Sequence, residues 1–194
     1  GHNPPGPRPP APPRTMRRFQ SHFVLDVESD GPHPLDFNMI SFALVSLADP
    51  AKGFSALLQP IHENDGGWKA ARDVSGISWE RQRAEGRDVR EVMEEVQSWA
   101  LEIAQRDRIT IWSDNPAYDW QFWNAYTHRS TGRNVAGFSA RRIGDLDAGR
   151  RGAPLTTNGW KKWRRTEHTH DPLDDARGNA EALRTILEAM EGGG

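Results

Sequence analysis

The chain has 194 residues, 36% of them hydrophobic and 27% charged, with a formal net charge of −2 and no cysteine. That balance is a globular one with a polar lean, and it excludes a collagen-like or wholly disordered chain. The missing cysteine excludes a disulfide framework, thiol catalysis and thiolate-held metals, and fits a reducing, cytoplasmic setting; no run of eighteen apolar residues exists to cross a membrane.

Gly1 to Arg14 contain seven prolines and no aliphatic side chain larger than alanine. Such a segment buries too little surface to offset its ordering entropy. Residues 1–18 are therefore read as a Pro-rich leader or tag remnant, 19–191 as one domain and 192–194 as a fraying tail. Phe23–Val27, Met39–Leu47 and Phe54–Gln59 read as strands. Asp88–Gln105 carries apolar residues at helical spacing, and Arg108–Trp112 is a strand after it. Trp120–Tyr126 reads as helical, and Pro172–Met190 as a final helix with Ala176, Ala180, Leu183 and Leu187 on one face. Strands first, then helices interleaved with strands, predict an α/β or α+β sheet domain.

Carboxylates stand where a core is expected. Asp26 and Glu28 lie two apart at the end of an apolar strand, so period-two geometry puts both on the face of Val24. Buried carboxylates are costly unless paired or metal-bound; the alternative is a sheet that ends here with both acids in water. Asp119 follows a strand and a turn, among aromatics, and reads either as a helix cap or as a functional acid, with Asp114 competing for either role. Asp171-Pro172 reads as N-cap and first helical residue. Asp175 then falls at the edge of the helix's apolar face and points toward the sheet. His170, just before the helix, is either an ordinary polar side chain at the surface or a working imidazole.

Taken together, four acids on three segments plus one histidine suit a two-metal phosphodiesterase. Magnesium and manganese prefer carboxylate and water oxygens. Two such ions clamp the attacking and leaving oxygens of an in-line displacement. A neutral imidazole, with a pKa of about 6.5, can accept the proton of an attacking water near neutral pH.

These residues resemble the DEDDh 3′–5′ exonucleases, a group that includes ribonuclease T, oligoribonuclease and polymerase proofreading subunits. The first motif is Asp26-Val27-Glu28-Ser29-Asp30-Gly31. The second is Asn115-Pro116-Ala117-Tyr118-Asp119-Trp120, where Asp114 stands in the place of a histidine found in many relatives. The third is His170, four residues, then Asp175-Ala176; Gly76-Ile77-Ser78 resembles a weaker family turn. The resemblance covers residues 22–190. It implies a ribonuclease-H-like α/β fold: one domain, a mixed β-sheet flanked by helices. It further implies two divalent cations (Mg2+ or Mn2+) held by Asp26, Glu28, Asp119 and Asp175, with His170 as general base. His168 lies two residues before His170, but its spacing to Asp175 does not match the motif.

Residues 129–165 hold ten basic and two acidic residues, +8 in all, leaving −10 for the rest of the chain. Placed between the second and third motifs, this stretch is expected to border the site and hold phosphates. Lys161, Lys162, Arg164 and Arg165 are its candidates for substrate binding. Trp160 and Trp163 either stack single-stranded bases or sit in the core. Ser29 is a candidate hydrogen-bond donor to a ligand carboxylate, and Gly31 and Asn115 are further candidates for substrate contact. Leu35 follows the first motif, where relatives often place an apolar wedge. The expected activity is hydrolysis at single-stranded 3′ ends to nucleoside 5′-monophosphates. RNA is favoured over DNA, since small standalone relatives often process RNA, and a homodimer is possible. The alternatives are a catalytically inactive nucleic-acid-binding module and a ribonuclease-H-like endonuclease.

Overall fold

The computed structural model of the chain describes residues 14–192. In chain order the elements are α1 (Arg14–Phe19), β1 (His22–Ser29), β2 (Met39–Ser46), β3 (Gly53–Leu57), α2 (Lys69–Ser75), α3 (Trp79–Glu85), α4 (Val89–Ile103), β4 (Thr110–Ser113), α5 (Pro116–Thr131), β5 (Ala140–Arg142), α6 (Ile143–Arg150), a short 3-10 helix (Gly159–Trp163) and α7 (Pro172–Glu191). Residues 1–13 of the expected leader and 193–194 of the expected tail lie outside the described residues. The rest of the leader is not irregular: α1 begins at Arg14, and Phe19 at its end is buried.

The sheet order is β3-β2-β1-β4-β5. β1 pairs antiparallel with β2 and parallel with β4, and β4 pairs parallel with β5. The sheet is therefore mixed, as expected. Every residue of β2 is buried. Alternation along β1 splits the core in two: Phe23, Leu25 and Val27 pack with α4 and α5, while Val24 faces the layer of α7 and the 3-10 helix. Each large side chain fully buried here contributes roughly 1.5–3 kcal/mol of hydrophobic stabilisation.

Local chemistry explains the boundaries. Asp88 caps α4 by accepting the Glu91 N–H at 3.0 Å. Pro116 opens α5 at a position where its missing N–H costs nothing, so this helix starts four residues earlier than the sequence reading placed it. Gly132 closes it in the left-handed conformation at φ 72°. Gly76-Ile77-Ser78 joins two short helices: Gly76, at φ 66°, ends α2, and Ser78 caps α3 by accepting the Arg81 N–H at 3.0 Å. Those two helices, α6 and the three-residue β5 had no counterpart in the sequence reading, being too short for a periodic signal.

Candidate active site

The last residue pair between β1 and β4 is Val24 with Trp112, whereas pairing with β2 continues to Ser29. Beyond Val24, one side of β1 therefore has no strand partner. The gap is closed by α5: Asp119 Oδ1 accepts the Val27 N–H at 3.1 Å. Its Oδ2 accepts the hydroxyl of Ser113 at the end of β4. Asp119 is in the first turn of α5 and does not cap it; Asn115 is the N-cap residue, and its side chain makes no cap bond. Both β1 carboxylates are partly buried rather than in open water.

The third segment is the start of α7. Asp171 caps it, accepting the N–H groups of Leu173 at 2.9 Å and Asp174 at 3.4 Å. One helical turn places Asp175 against the sheet, 2% exposed. The preceding loop folds back on this turn. Thr169 donates its N–H to Asp175 Oδ1 at 3.0 Å and its hydroxyl to Asp174 Oδ2 at 3.0 Å. His170 sits at φ 62°, a left-handed conformation uncommon outside glycine and costly to hold. The loop can lie this close because residue 178 is glycine: a Cβ there would stand 2.7 Å from the Thr166 carbonyl oxygen.

Asp26, Glu28 and Asp175 present carboxylate oxygens all within 4.8 Å of one another. Asp119 lies close enough to act on the first two. Burial, with the charges of Asp119, Asp175 and Glu28, holds Asp26 well above the usual carboxylate range. Burial and the charges of Asp175, Asp119 and Asp171 push Glu28 up to about 7. Burial pushes Asp119 up to about 7 despite its hydrogen bonds from Ser113 and Val27. Asp26, Glu28 and Asp175, with Asp119 beside them outside that grouping, form an oxygen-only donor set with little cationic compensation, and a hard divalent cation is the chemistry that fits it. The compensation present is Arg164, whose guanidinium stands 3.6 Å from Asp175 Oδ1. Beside the cluster a groove of about 350 Å3 runs past His170 between Phe42, Ser55, Ile77 and Arg81.

The other candidates fall into two groups. Ser29 and Gly31 are buried. The Ser29 hydroxyl bonds the Gly31 carbonyl at 2.6 Å and the Tyr118 hydroxyl, not a ligand carboxylate. Gly31 is hemmed in by Phe37, whose ring carbons leave no room for a Cβ. Both shape the turn after β1. Arg164 is turned inward, 13% exposed at its side chain, and spans the Asp175 carboxylate and main-chain oxygen. Asn115, Lys162 and Arg165 are exposed. Asn115 and Lys161 line a polar cavity of about 610 Å3 with Asp114 and Arg142, where Lys161 pairs with Asp114 at 2.8 Å. The +8 stretch is not a uniform basic surface: Arg150 and Arg151 both pair with buried Asp147, and Arg142 pairs with Asp145. Trp160 is fully buried; Trp163 is 42% exposed. Leu35 is 80% exposed.

Two features escaped the sequence reading. Asp30 is fully buried and held by Arg72 at 3.0 Å, by the Asn38 N–H at 2.6 Å and by the Asn38 side chain at 3.0 Å. This network fixes the loop after β1; the adjacency of Asp30 to the first motif was the only available signal. His168 places Nδ1 at 2.8 Å from Asp175 Oδ1, although its sequence spacing seemed wrong for a partner of that acid. The left-handed turn at His170 brings it there, and no periodic pattern announces such a turn.

No protein-family model matches the chain. It is 32% identical over 188 residues to the 3′–5′ DNA exonuclease Cap18 of Escherichia coli, an alignment covering 91% of this chain and 97% of that protein. Among solved structures it resembles cell-death related nuclease 4 (CRN-4), with a TM-score of 0.66 at 18% identity over 88% of this chain and 64% of that one. It resembles the nuclease domain of 3′hExo, a DEDDh family member bound to rAMP, at 0.63 and 13% over 88% of this chain and 93% of that one. It also resembles E. coli Exonuclease I in complex with a dA16 oligonucleotide, at 0.66 and 14% over 87% of this chain but 42% of that one. The structural matches, at such low identity, speak for the ribonuclease-H-like fold.

Proposed function

Since the chain belongs to the DEDDh family of 3′–5′ exonucleases, we propose that it removes nucleoside 5′-monophosphates from single-stranded 3′ ends, with Asp26, Glu28, Asp119 and Asp175 holding two divalent cations, Mg2+ or Mn2+. The observation that carries this reading is the approach of Asp26, Glu28 and Asp175 within 4.8 Å of one another, the last buried and the first two partly so. When bound, such cations neutralise phosphoryl oxygens and acidify water.

The chain's own groups supply the rest. His170 accepts the proton of the attacking water at an imidazole nitrogen, and the 3′-oxygen of the penultimate nucleotide leaves. The strained turn at His170 holds its ring at the lip of the groove past Phe42 and Ile77, which receives the terminal nucleoside. Asp119 orients β1 through Val27 while lying beside Asp26 and Glu28. Lys161, Lys162 and Arg165 attract the phosphate backbone in a salt-dependent manner, and Trp163 offers an exposed ring to a base. Asn115 lies at the mouth of the polar cavity, within reach of the strand.

The relative named a DNA exonuclease moves the preferred substrate from RNA toward DNA. The test is a denaturing gel of 5′-labelled single-stranded DNA and RNA with Mn2+ or Mg2+. A ladder shortening from the 3′ end, abolished by chelator and by Asp175→Asn, is the expected outcome. Internal fragments, or an Asp175→Asn variant as active as the parent, would overturn the assignment. The relative rate on the two sugars decides between DNA and RNA.

A further inference from the structure

We propose that His168, His170 and Asp175 form a second metal site, selective for zinc, that competes with the carboxylate cluster for Asp175 and shuts the enzyme off. The three residues offer two imidazole nitrogens and one carboxylate oxygen, all within 4.8 Å of one another. His168 Nδ1 already lies 2.8 Å from Asp175 Oδ1, and the two imidazole rings stand 4.3 Å apart, edge to face. Zinc favours a tetrahedron of three protein ligands and one water, with metal–nitrogen distances of about 2.0–2.1 Å. A tetrahedron of that size sets its donors roughly 3.3 Å apart, so the wider pairs must close, while the His168–Asp175 pair must open slightly and give up the proton it shares. His168 and His170 are exposed, so an ion can enter from solvent.

Ligand type sets the selectivity. Two imidazoles favour zinc over magnesium and manganese, which prefer oxygen. Asp26, Glu28 and Asp175 form the oxygen-only set. Asp175 is common to both sets, so an ion held by the histidines takes a carboxylate from the catalytic cluster and the lone pair of His170 from the attacking water. His168 lies outside the four-residue gap of the third motif, so the site belongs to this chain's His-Thr-His arrangement. The inhibitory half of the proposal rests on the functional reading above; the binding half rests on geometry alone.

The experiment titrates Zn2+ into metal-free protein by calorimetry and follows histidine imidazole resonances, for the parent and for His168→Gln. Glutamine preserves a donor toward Asp175 without an imidazole lone pair. In parallel, Zn2+ is titrated into Mn2+-supported hydrolysis of single-stranded DNA. Zn2+ bound to the parent should shift the signals of both His168 and His170. The variant should bind at least ~10–100-fold more weakly, the loss seen when merely an outer partner of a metal ligand is removed. Its inhibition curve should move by the same factor. Equal Zn2+ binding by parent and variant would put the ion on the carboxylates and overturn the proposal, as would no binding at all. A parent idle with Mn2+ in the absence of Zn2+ counts against the exonuclease chemistry, and the calorimetric and imidazole results then decide the zinc site by themselves.

Discussion

Asp119 accepts the main-chain N–H of Val27 at 3.1 Å across 92 positions of sequence, so one carboxylate both closes the sheet and lies beside the acids Asp26 and Glu28. The two tasks separate by substitution. Asp119→Asn keeps an oxygen for Val27 and removes a charge that burial disfavours. It is expected to melt, without metal, at or above the temperature of the parent, while hydrolysis falls ~100-fold or more. Asp119→Ala leaves the Val27 N–H without its acceptor and should lose about 1–3 kcal/mol of stability as well. Thermal melts beside a 3′-end shortening assay check both; an active Asp119→Asn would exclude the acid from the chemistry.

Stability should carry the signature of Glu28. Its carboxyl is pushed up to about 7 from an ordinary 4.5. The folded state thus holds a proton that the unfolded state has released, and stability falls wherever that difference exists. The contribution is fully present below about 4.5 and is lost as pH rises through about 7, a change of roughly 2–3 kcal/mol. In chelator, the stability of the parent relative to Glu28→Gln should therefore decline between pH 4.5 and pH 8. A flat difference across that window would show that neither burial nor the neighbouring acids raise the Glu28 carboxyl.

Metal should reverse that loss. A ligand that binds only the folded state at 100 times its dissociation constant adds about 2.7 kcal/mol. Mn2+ or Mg2+ is expected to raise the melting temperature of the parent at pH 8, and to do so less at pH 5, where protonated carboxyls compete with the ion. Asp26→Asn should abolish most of the shift. Differential scanning fluorimetry with and without chelator reads it directly.

Asp30 and Arg72 form the buried pair that fixes the turn after β1. Arg72→Met leaves a fully buried carboxylate without its cation and should cost about 3–5 kcal/mol. Asp30→Asn together with Arg72→Met removes both charges and should recover much of that loss. Urea denaturation of the parent, Arg72→Met, Asp30→Asn and the double variant measures the coupling; losses that simply add would show that the two side chains act independently.

Strands β1 to β4, helices α4, α5 and α7 and the cluster of acids were legible because each rests on a local signal. The apolar runs of β1 and β2 dictate strands, and Asp26 and Glu28 share a face by period two alone. Asp171-Pro172 announces the start of α7, and helical geometry then turns Asp175 inward. What stayed illegible depends on contacts far apart in sequence. That Asp119 substitutes for a strand partner of β1 requires knowing where β4 departs. That Arg164 faces Asp175 requires knowing how the loop after the 3-10 helix folds. The count of +8 between residues 129 and 165 already subtracts Asp145 and Asp147; pairing of Lys161 with Asp114 and of Arg164 with Asp175, both acids outside the stretch, offsets two more charges.

α7 carries Asp175 in its first turn, while its later turns bury Ala180, Leu183 and Ile186 in the core beside β1 and β2. A single 20-residue rod thus joins the reactive end of the molecule to its interior. The acid in that first turn has no independent melting point: to loosen it is to loosen the interior. Residual turnover in rising denaturant should then fade along the global unfolding curve, making catalysis itself a gauge of whether the chain is folded.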